Sequence, residues 1–447
     1  MGKNEAKNEL KENKKIFFLP YLLLFIVIFA GCGSSTEKEP ETDSPLTSVA
    51  ETSAPEGNIE KTAEKTDTKP APTNYVSEEE MALADYWKGS DESALAKVMK
   101  KAESGEKITI AVLGGSITQG TISTGKIDSE VKEKKCYADI FFDWWKETFP
   151  DTEFKCINAG IGATDSYLGA HRVQADVLDY RPDLVLVEYA VNDSNTTFYK
   201  KSYDNLLRTI AESESNPAIL LLFMAQSDLT CAQENQSMLG FSYSLPMVSY
   251  RNVIKSMEES GKYSEKELSG DTVHPSALGH SITGEILWNY LNSIYEVRND
   301  YGEPTPIKED TVMKRCYENA VILDSKSIEP DSMNGFEKKE VFPTFPNSFS
   351  TETGGEIKFT VTASNIGILY YCRTDGNGGQ FDVYVDGILT TTLDSDFKNG
   401  WGNYAENKEC YTSDAPAEHE IIIKKNENST GESFTILGLL ISETKQN

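Results

Sequence analysis

Between Ile108 and Tyr295 apolar runs alternate with stretches of helical period, and after Val297 the period falls to two. A chain that changes period once, at a turn-rich linker, is confined to an α/β domain followed by an all-β one. The runs ITIAVL (108–113), DLVLVEYA (183–190) and AILLLFMA (218–225) are apolar at almost every position. Strands of that kind are buried on both faces, which calls for a parallel sheet between layers of helices. A shorter strand is expected at Cys156–Ala159, and helices at Tyr137–Phe149, Gly169–Leu178, Tyr203–Ser213, Tyr250–Ser260 and Ser276–Tyr295. Residues 76–104 read as one further helix: Ser77 and Glu80 have capping-box spacing, and Leu95, Val98 and Met99 form a stripe closed by Gly105. Residues 227–248 read as a loop. The α/β domain is assigned to 76–297, RNDYGEPTPIKED (298–310) to a linker, and 311–447 to an antiparallel, jelly-roll-like β-sandwich. Its strands are expected at Ile357–Thr362, Ile368–Arg373, Phe381–Asp386, Leu389–Leu393, Glu420–Lys424 and Phe434–Ile441.

The front of the chain is of another kind. Five lysines and three glutamates in residues 1–15 precede Ile16–Ala30, an almost wholly apolar run of signal-peptide length and short for a membrane span. It ends Phe29-Ala30-Gly31-Cys32. That resembles the bacterial lipoprotein signal, with phenylalanine where the pattern prefers leucine. The resemblance implies removal of residues 1–31, lipidation of Cys32 and an extracytoplasmic protein anchored to the cell membrane. Residues 32–75 hold almost no large apolar side chains, so burial cannot offset their ordering entropy, and they read as a disordered tether. A formal charge of −28 argues against nucleic acid and anionic headgroups as partners and suits neutral ones, neutral glycans among them. Six further cysteines, at 136, 156, 231, 316, 372 and 410, form no CxxC pair and no zinc spacing. Cys136 and Cys156 read as buried thiols. Cys372 and Cys410 share the sandwich and are a candidate disulfide only if the fold brings them together.

The chemistry centres on Ile108–Gly120 (ITIAVLGGSITQG), a buried strand running into a tight turn that displays Ser116. A serine hydroxyl is a poor nucleophile until a base takes its proton. The turn has no lysine in the P-loop position and no GxGxxG, which argues against a phosphate cradle. Ser116 is followed by Ile117-Thr118 rather than x-Gly, so it is not the α/β-hydrolase elbow. Of four histidines, His419 lies in the sandwich and His280 within the last helix of the α/β domain, where it reads as a surface or packing residue. His171 follows a glycine-rich loop and is placed to line a cleft. His274 stands in GDTVHPS, three residues after Asp271. An aspartate there can curl back to accept the imidazole Nδ1–H and leave Nε2 for Ser116, though the pair also suits an ordinary helix-entry turn. Two loops fall at strand carboxyl ends, where a doubly wound sheet carries its site. Asn158–Asp165 (NAGIGATD) offers backbone N–H groups to a substrate oxygen, and Ala190–Asp193 offers the Asn192 amide. Both also read as plain loops of turn-forming residues.

Four blocks in order resemble the SGNH (GDSL-type) hydrolase family: GGSIT with Ser116, NAGIGA, AVND with Asn192, and DTVHP with Asp271 and His274. They span most of residues 107–297. The resemblance implies a three-layer, flavodoxin-like α/β/α fold and ester hydrolysis through an acyl-enzyme. It makes Ser116 the nucleophile, His274 the general base and then acid, and Asp271 its orienter. The implied oxyanion hole is the Ser116 N–H, an N–H of the Gly160–Ala163 loop and the Asn192 side chain. The glycine that many members place in that loop aligns with Ala163, with Gly162 just before it. Both are candidate donors and Gly160 is the lesser one. No metal or organic cofactor is implied. The sandwich makes the chain similar, more weakly, to carbohydrate esterases that pair an SGNH domain with a jelly roll, although there the jelly roll usually comes first. The expected substrate is an O-acetylated polysaccharide or oligosaccharide, or another short-chain ester. Trp401 and Tyr404, in KNGWGNYAEN, are candidates to stack on sugar rings. The alternatives are lysophospholipid or thioester hydrolysis, acetyl transfer on the same site, and a glycan-binding lipoprotein without turnover.

Overall fold

The computed structural model describes residues 74–131, 134–307 and 312–445. The expected signal segment, Cys32 and nearly all of the expected tether lie outside them. The stretch expected as one helix is two, α1 (Glu78–Ala84) and α2 (Ser93–Glu103). Ser77 and Glu80 form their capping box, but Asp85 leaves helical geometry and the Tyr86 N–H goes to the Met247 carbonyl. That is a long-range bond with no local signal.

The rest of the α/β domain runs β1 (Ile108–Gly114), α3 (Ser116–Gln119), α4 (Tyr137–Thr148), β2 (Phe154–Gly160), α5 (Ser166–Asp176), β3 (Leu184–Glu188) and α6 (Thr197–Ala211). It continues β4 (Ala218–Phe223), α7 (Gln233–Tyr243), β5 (Met247–Ser249), α8 (Tyr250–Glu259), α9 (Glu265–Leu268) and α10 (Ala277–Glu296). The sheet is parallel with order β2-β1-β3-β4-β5. Every residue of β1, β3 and β4 is buried, so helices cover both faces, as their continuous apolar runs require. The chain leaves β1 in one direction for β2 and in the other for β3, which puts the topological switch point at the carboxyl end of β1. Residues 227–248, expected as a loop, supply α7 and the fifth strand. Helix α7 buries Gln233, Gln236 and Ser237 and exposes Met238 and Phe241, so it shows no amphipathic stripe.

The C-terminal domain comprises β6 (Glu318–Leu323), β7 (Ser332–Asn334), β8 (Glu337–Lys339), β9 (Ser348–Thr351), β10 (Glu356–Cys372), β11 (Gln380–Val385), β12 (Ile388–Asp394), β13 (Tyr404–Lys425) and β14 (Phe434–Glu443). The order is β12-β11-β13-β10-β14-β9-β8, with β6 also on β14 and β7 on β10. Two of the expected strands, Ile357–Thr362 and Ile368–Arg373, are the ends of the single long strand β10. It follows β13 through bulges between Ala363 and Asn365 and between Ile366 and Gly367. The sheet doubles over one core, in which Phe349, Phe359, Ile368, Phe381, Ile421 and Phe434 meet. Cys372 pairs with Tyr404 and Glu409 with Gly367, so Cys410 lies roughly 20 Å along β13 from Cys372. That separation excludes a bridge, and both thiols are free. Cys136 is buried as expected, whereas Cys156, on edge strand β2, is only half-buried.

The two domains share an interior. Leu369, Ala405, Leu437 and Leu440 of the sandwich are buried in the same cluster as the α/β core. The rings of Tyr167 and Tyr317 meet at 5.2 Å. A Cβ at Gly367 would fall 2.3 Å from the Tyr167 hydroxyl oxygen, so close contact between β10 and α5 requires that glycine. Glu409 accepts from Lys201 at 3.0 Å and from the Tyr317 hydroxyl at 2.8 Å.

Candidate active site

Strand β1 ends at Gly114, and Gly115 turns the chain into α3, whose first residue is Ser116. The helix is anchored from below: the buried Thr118 hydroxyl donates to Glu188 at 3.0 Å and bonds the Tyr137 hydroxyl at 2.7 Å. Ser116 is left half-exposed at the switch point. Its Oγ lies 2.9 Å from His274 Nε2, and His274 Nδ1 lies 2.9 Å from Asp271 Oδ2. With an acceptor on one side of the ring and a hydroxyl on the other, the imidazole fits as the Nδ1–H tautomer, with Nε2 open to the serine proton.

The loop that holds the histidine is fixed by its own backbone. The Asp271 Oδ1 accepts the N–H groups of Val273 at 2.7 Å and His274 at 2.6 Å. Burial pushes the Asp271 carboxyl up, but these N–H bonds and the imidazole outweigh it and hold the group below the ordinary aspartate value, as a carboxylate. The His274 carbonyl accepts the Ser123 and Ser269 hydroxyls at 2.6 and 2.7 Å, and the Ser123 N–H donates to the Pro275 carbonyl at 3.0 Å. Gly270 sits where a Cβ would fall 2.3 Å from the Thr124 carbonyl oxygen, which lets the two loops touch.

Loop 160–163 approaches from β2. A Cβ on Gly162 would fall 3.7 Å from Ser116 Cβ. The Gly162 N–H donates to Gln119 Oε1 at 2.9 Å, and the Gly160 N–H to Asn158 Oδ1 at 2.9 Å. Ala163 has φ of 59°, in the left-handed region that favours glycine. Asn192 reaches the turn from the end of β3. Its amide lies against Gly115, where a Cβ would fall 2.1 Å from Oδ1, so the second glycine of GGS is what admits the asparagine. The structure thus brings Ser116, His274 and Asp271 into one hydrogen-bonded chain and gathers loop 160–163 and Asn192 beside the serine.

The other histidines lie elsewhere. His171, expected to line a cleft, is 3 % exposed beneath the sandwich, with its ring near Tyr317 and Nδ1 on the Tyr167 carbonyl at 2.9 Å. Burial lowers its pKa to about 4, so it is neutral. His280 is a packing residue. It accepts the Tyr137 N–H on Nδ1 and donates from Nε2 to the Thr121 carbonyl, and burial lowers it to about 4. His419 bonds Asp386 within the sandwich. Sequence reasoning missed Glu188, which lies beneath the site. Its signal was present: a carboxylate inside the otherwise apolar run DLVLVEYA. Among the described residues no group of His, Cys, Asp and Glu is arranged to hold a metal ion.

No family model and no curated protein matches the sequence. Among solved structures the chain is similar to a two-domain esterase active on acetylated mannans, at 28 % identity and a TM-score of 0.72, over 80 % of this chain and 97 % of that one. The structure of a two-domain esterase active on acetylated mannans co-crystallized with mannopentaose gives 27 % identity and a TM-score of 0.71, over 80 % of this chain and 96 % of that one. The likeness to two-domain carbohydrate esterases, carried weakly by the sequence, is therefore borne out across both domains. It is consistent with the stronger SGNH-type resemblance.

Proposed function

We propose that this protein is a serine esterase of SGNH type that removes acetyl groups from O-acetylated glycans through an acyl-enzyme. The observation that carries the reading is the chain from Ser116 Oγ to His274 Nε2 and from His274 Nδ1 to Asp271, with both links at 2.9 Å. Ser116 Oγ attacks the acetyl carbonyl while His274 Nε2 takes its proton. The new oxyanion is met by the Ser116 N–H, an N–H of loop 160–163 and the Asn192 side chain. The intermediate collapses with loss of the sugar oxygen, which takes the proton from His274. Water then attacks acetyl-Ser116, gives a proton to His274 and releases acetate, and the serine recovers its proton. Asp271, already anionic, holds the ring and faces the imidazolium that forms in each half.

Three observations support a glycan substrate. The structurally similar esterase acts on acetylated mannans. The charge of −28 suits a neutral polymer. Trp401 is 72 % exposed, with its ring 5.0 Å from Tyr404 and 5.7 Å from Phe397, a platform of the kind sugar rings stack on. A lipid anchor on Cys32 would hold the enzyme outside the cell, where such polymers are met.

The decisive experiment is labelling with a fluorophosphonate probe, together with acetate release from acetylated mannan. A covalent adduct on the wild type, absent in Ser116→Ala, is expected. No adduct on the intact protein would overturn the esterase reading in favour of binding without turnover. Activity rising with acyl length on p-nitrophenyl esters would overturn the acetyl assignment.

A further inference from the structure

The most deeply buried guanidinium near the site belongs to Arg172, on α5, with 2 % of its side chain exposed. Nη1 donates to the Ala159 carbonyl and to Asp176, both at 2.8 Å. Nη2 donates to the Gly114 carbonyl at 3.0 Å and to the Tyr189 hydroxyl at 2.9 Å. All four terminal N–H groups are thus engaged, while Nε is buried without a partner. Gly114 is the last residue of β1, two before Ser116, and Ala159 stands on β2 directly before loop 160–163. The Gly114 carbonyl takes one further bond, the Ile161 N–H at 3.1 Å, so both its lone pairs point at the apparatus around that loop. Gly169 contributes as well: a Cβ there would fall 2.8 Å from the Tyr189 hydroxyl, so the glycine lets Tyr189 reach Arg172.

Burying a charge is costly, and the carboxylate that answers it, Asp176, is itself 36 % exposed. An apolar side chain would fill the same volume without that cost. It would not join two carbonyls on two strands.

We propose that Arg172 is a positioning residue that sets the spacing of the oxyanion hole, its fork tying the strand that ends in Ser116 to the strand that leads into Gly162 and Ala163. This rests on the serine-esterase reading. A lysine would keep the charge, but its single nitrogen cannot reproduce the planar fork.

The test is steady-state hydrolysis of p-nitrophenyl acetate by Arg172→Lys and Tyr189→Phe. For Arg172→Lys we expect kcat to fall roughly 100-fold, as for a misplacement of about an ångström, with KM within about threefold and the pH profile unmoved. For Tyr189→Phe, which removes one acceptor and little volume, kcat should fall a few-fold in the same pattern. If both variants keep kcat within twofold of wild type, or if the loss falls on KM, the proposal is overturned. Should the lysine variant not fold, Tyr189→Phe decides alone. Undiminished turnover in Ser116→Ala would sink the esterase reading itself, whereas unchanged kcat in these two variants sinks only the role given to Arg172.

Discussion

Asn407 of the sandwich donates its side-chain N–H to the Asp165 carboxylate of the α/β domain at 3.1 Å. Asp165 caps α5 through the Leu168 N–H, accepts the Tyr199 hydroxyl and stands two residues after Ala163. The second domain therefore reaches within one short loop of the proposed oxyanion donors. Burial raises the Asp165 carboxyl and its hydrogen-bond donors oppose that, so each donor counts. Asn407→Ala is expected to cost about 1–3 kcal/mol in denaturant unfolding, the usual result of leaving a buried acceptor short of a donor. It should also lower kcat several-fold. Unchanged stability and kcat would show that the contact is incidental.

Removing the base should be as damaging as removing the nucleophile, because such groups act as a unit. His274→Ala is expected to lower kcat on p-nitrophenyl acetate by roughly 10⁴-fold or more, and Asp271→Asn by somewhat less. If His171→Ala proved the more damaging change, the assignment of the base would be wrong.

The left-handed backbone at Ala163 carries strain that glycine would not. Ala163→Gly should raise stability by roughly 1 kcal/mol, read from the shift in denaturation midpoint. Gln119 occupies the Gly162 N–H. Gln119→Ala should therefore raise kcat/KM a few-fold if Gly162 is the donor and leave it alone if Ala163 is. The kinetic effect of Gln119→Ala thus discriminates the two candidate backbone donors.

Burial raises Glu188 from 4.5 to about 7, against the opposing bonds from Thr118 and the backbone of Val191 and Ala190. Folded protein keeps this proton until near neutrality, and unfolded chain loses it near pH 4.5. The stabilisation is complete below the unfolded value and disappears as pH rises through 7, a span of roughly 3 kcal/mol. Glu188→Gln keeps the shape and cannot ionise. Plotted against pH, wild-type stability minus that of the variant should decline from about 4.5 to 7 and then level off. A flat difference would mean that Glu188 is ionised in the fold.

Trp401→Ala should leave p-nitrophenyl acetate hydrolysis intact and raise KM for acetylated mannan about tenfold, the order of one aromatic stacking contact. Equal KM values on the polymer would remove Trp401 from substrate recognition.

How much of this is legible in the sequence depends on distance along the chain. Ser116 sits on a short contiguous motif just after β1, and the Asp271–His274 pair on another in the loop between α9 and α10, so their roles can be posed before any fold is known. The doubly wound sheet follows from apolar runs too continuous for any other setting. Arg172 and Asn407 are invisible by the same logic: each matters through partners on other strands or in the other domain. His171 misleads because its local setting, after a glycine-rich loop, suggests a cleft, and only the sandwich packed above shows that it is covered. Strand β10 reads as two because polar SNIG, at residues 364–367, interrupts its period where the sheet bends. Strands β7 and β8 are fully exposed, so they carry no alternation to detect.

The four sandwich side chains that lie in the α/β interior have a consequence for the molecule as a material object. A cut in the linker near residue 300 divides two patterns of sequence, but it does not divide two independent bodies. Leu369, Ala405, Leu437 and Leu440 would be stripped from a cluster they help to close, and Tyr167 would lose its cover. The shared cluster predicts that the described parts of the two domains lose their order in a single calorimetric transition, and two separated transitions would show that the domains unfold independently.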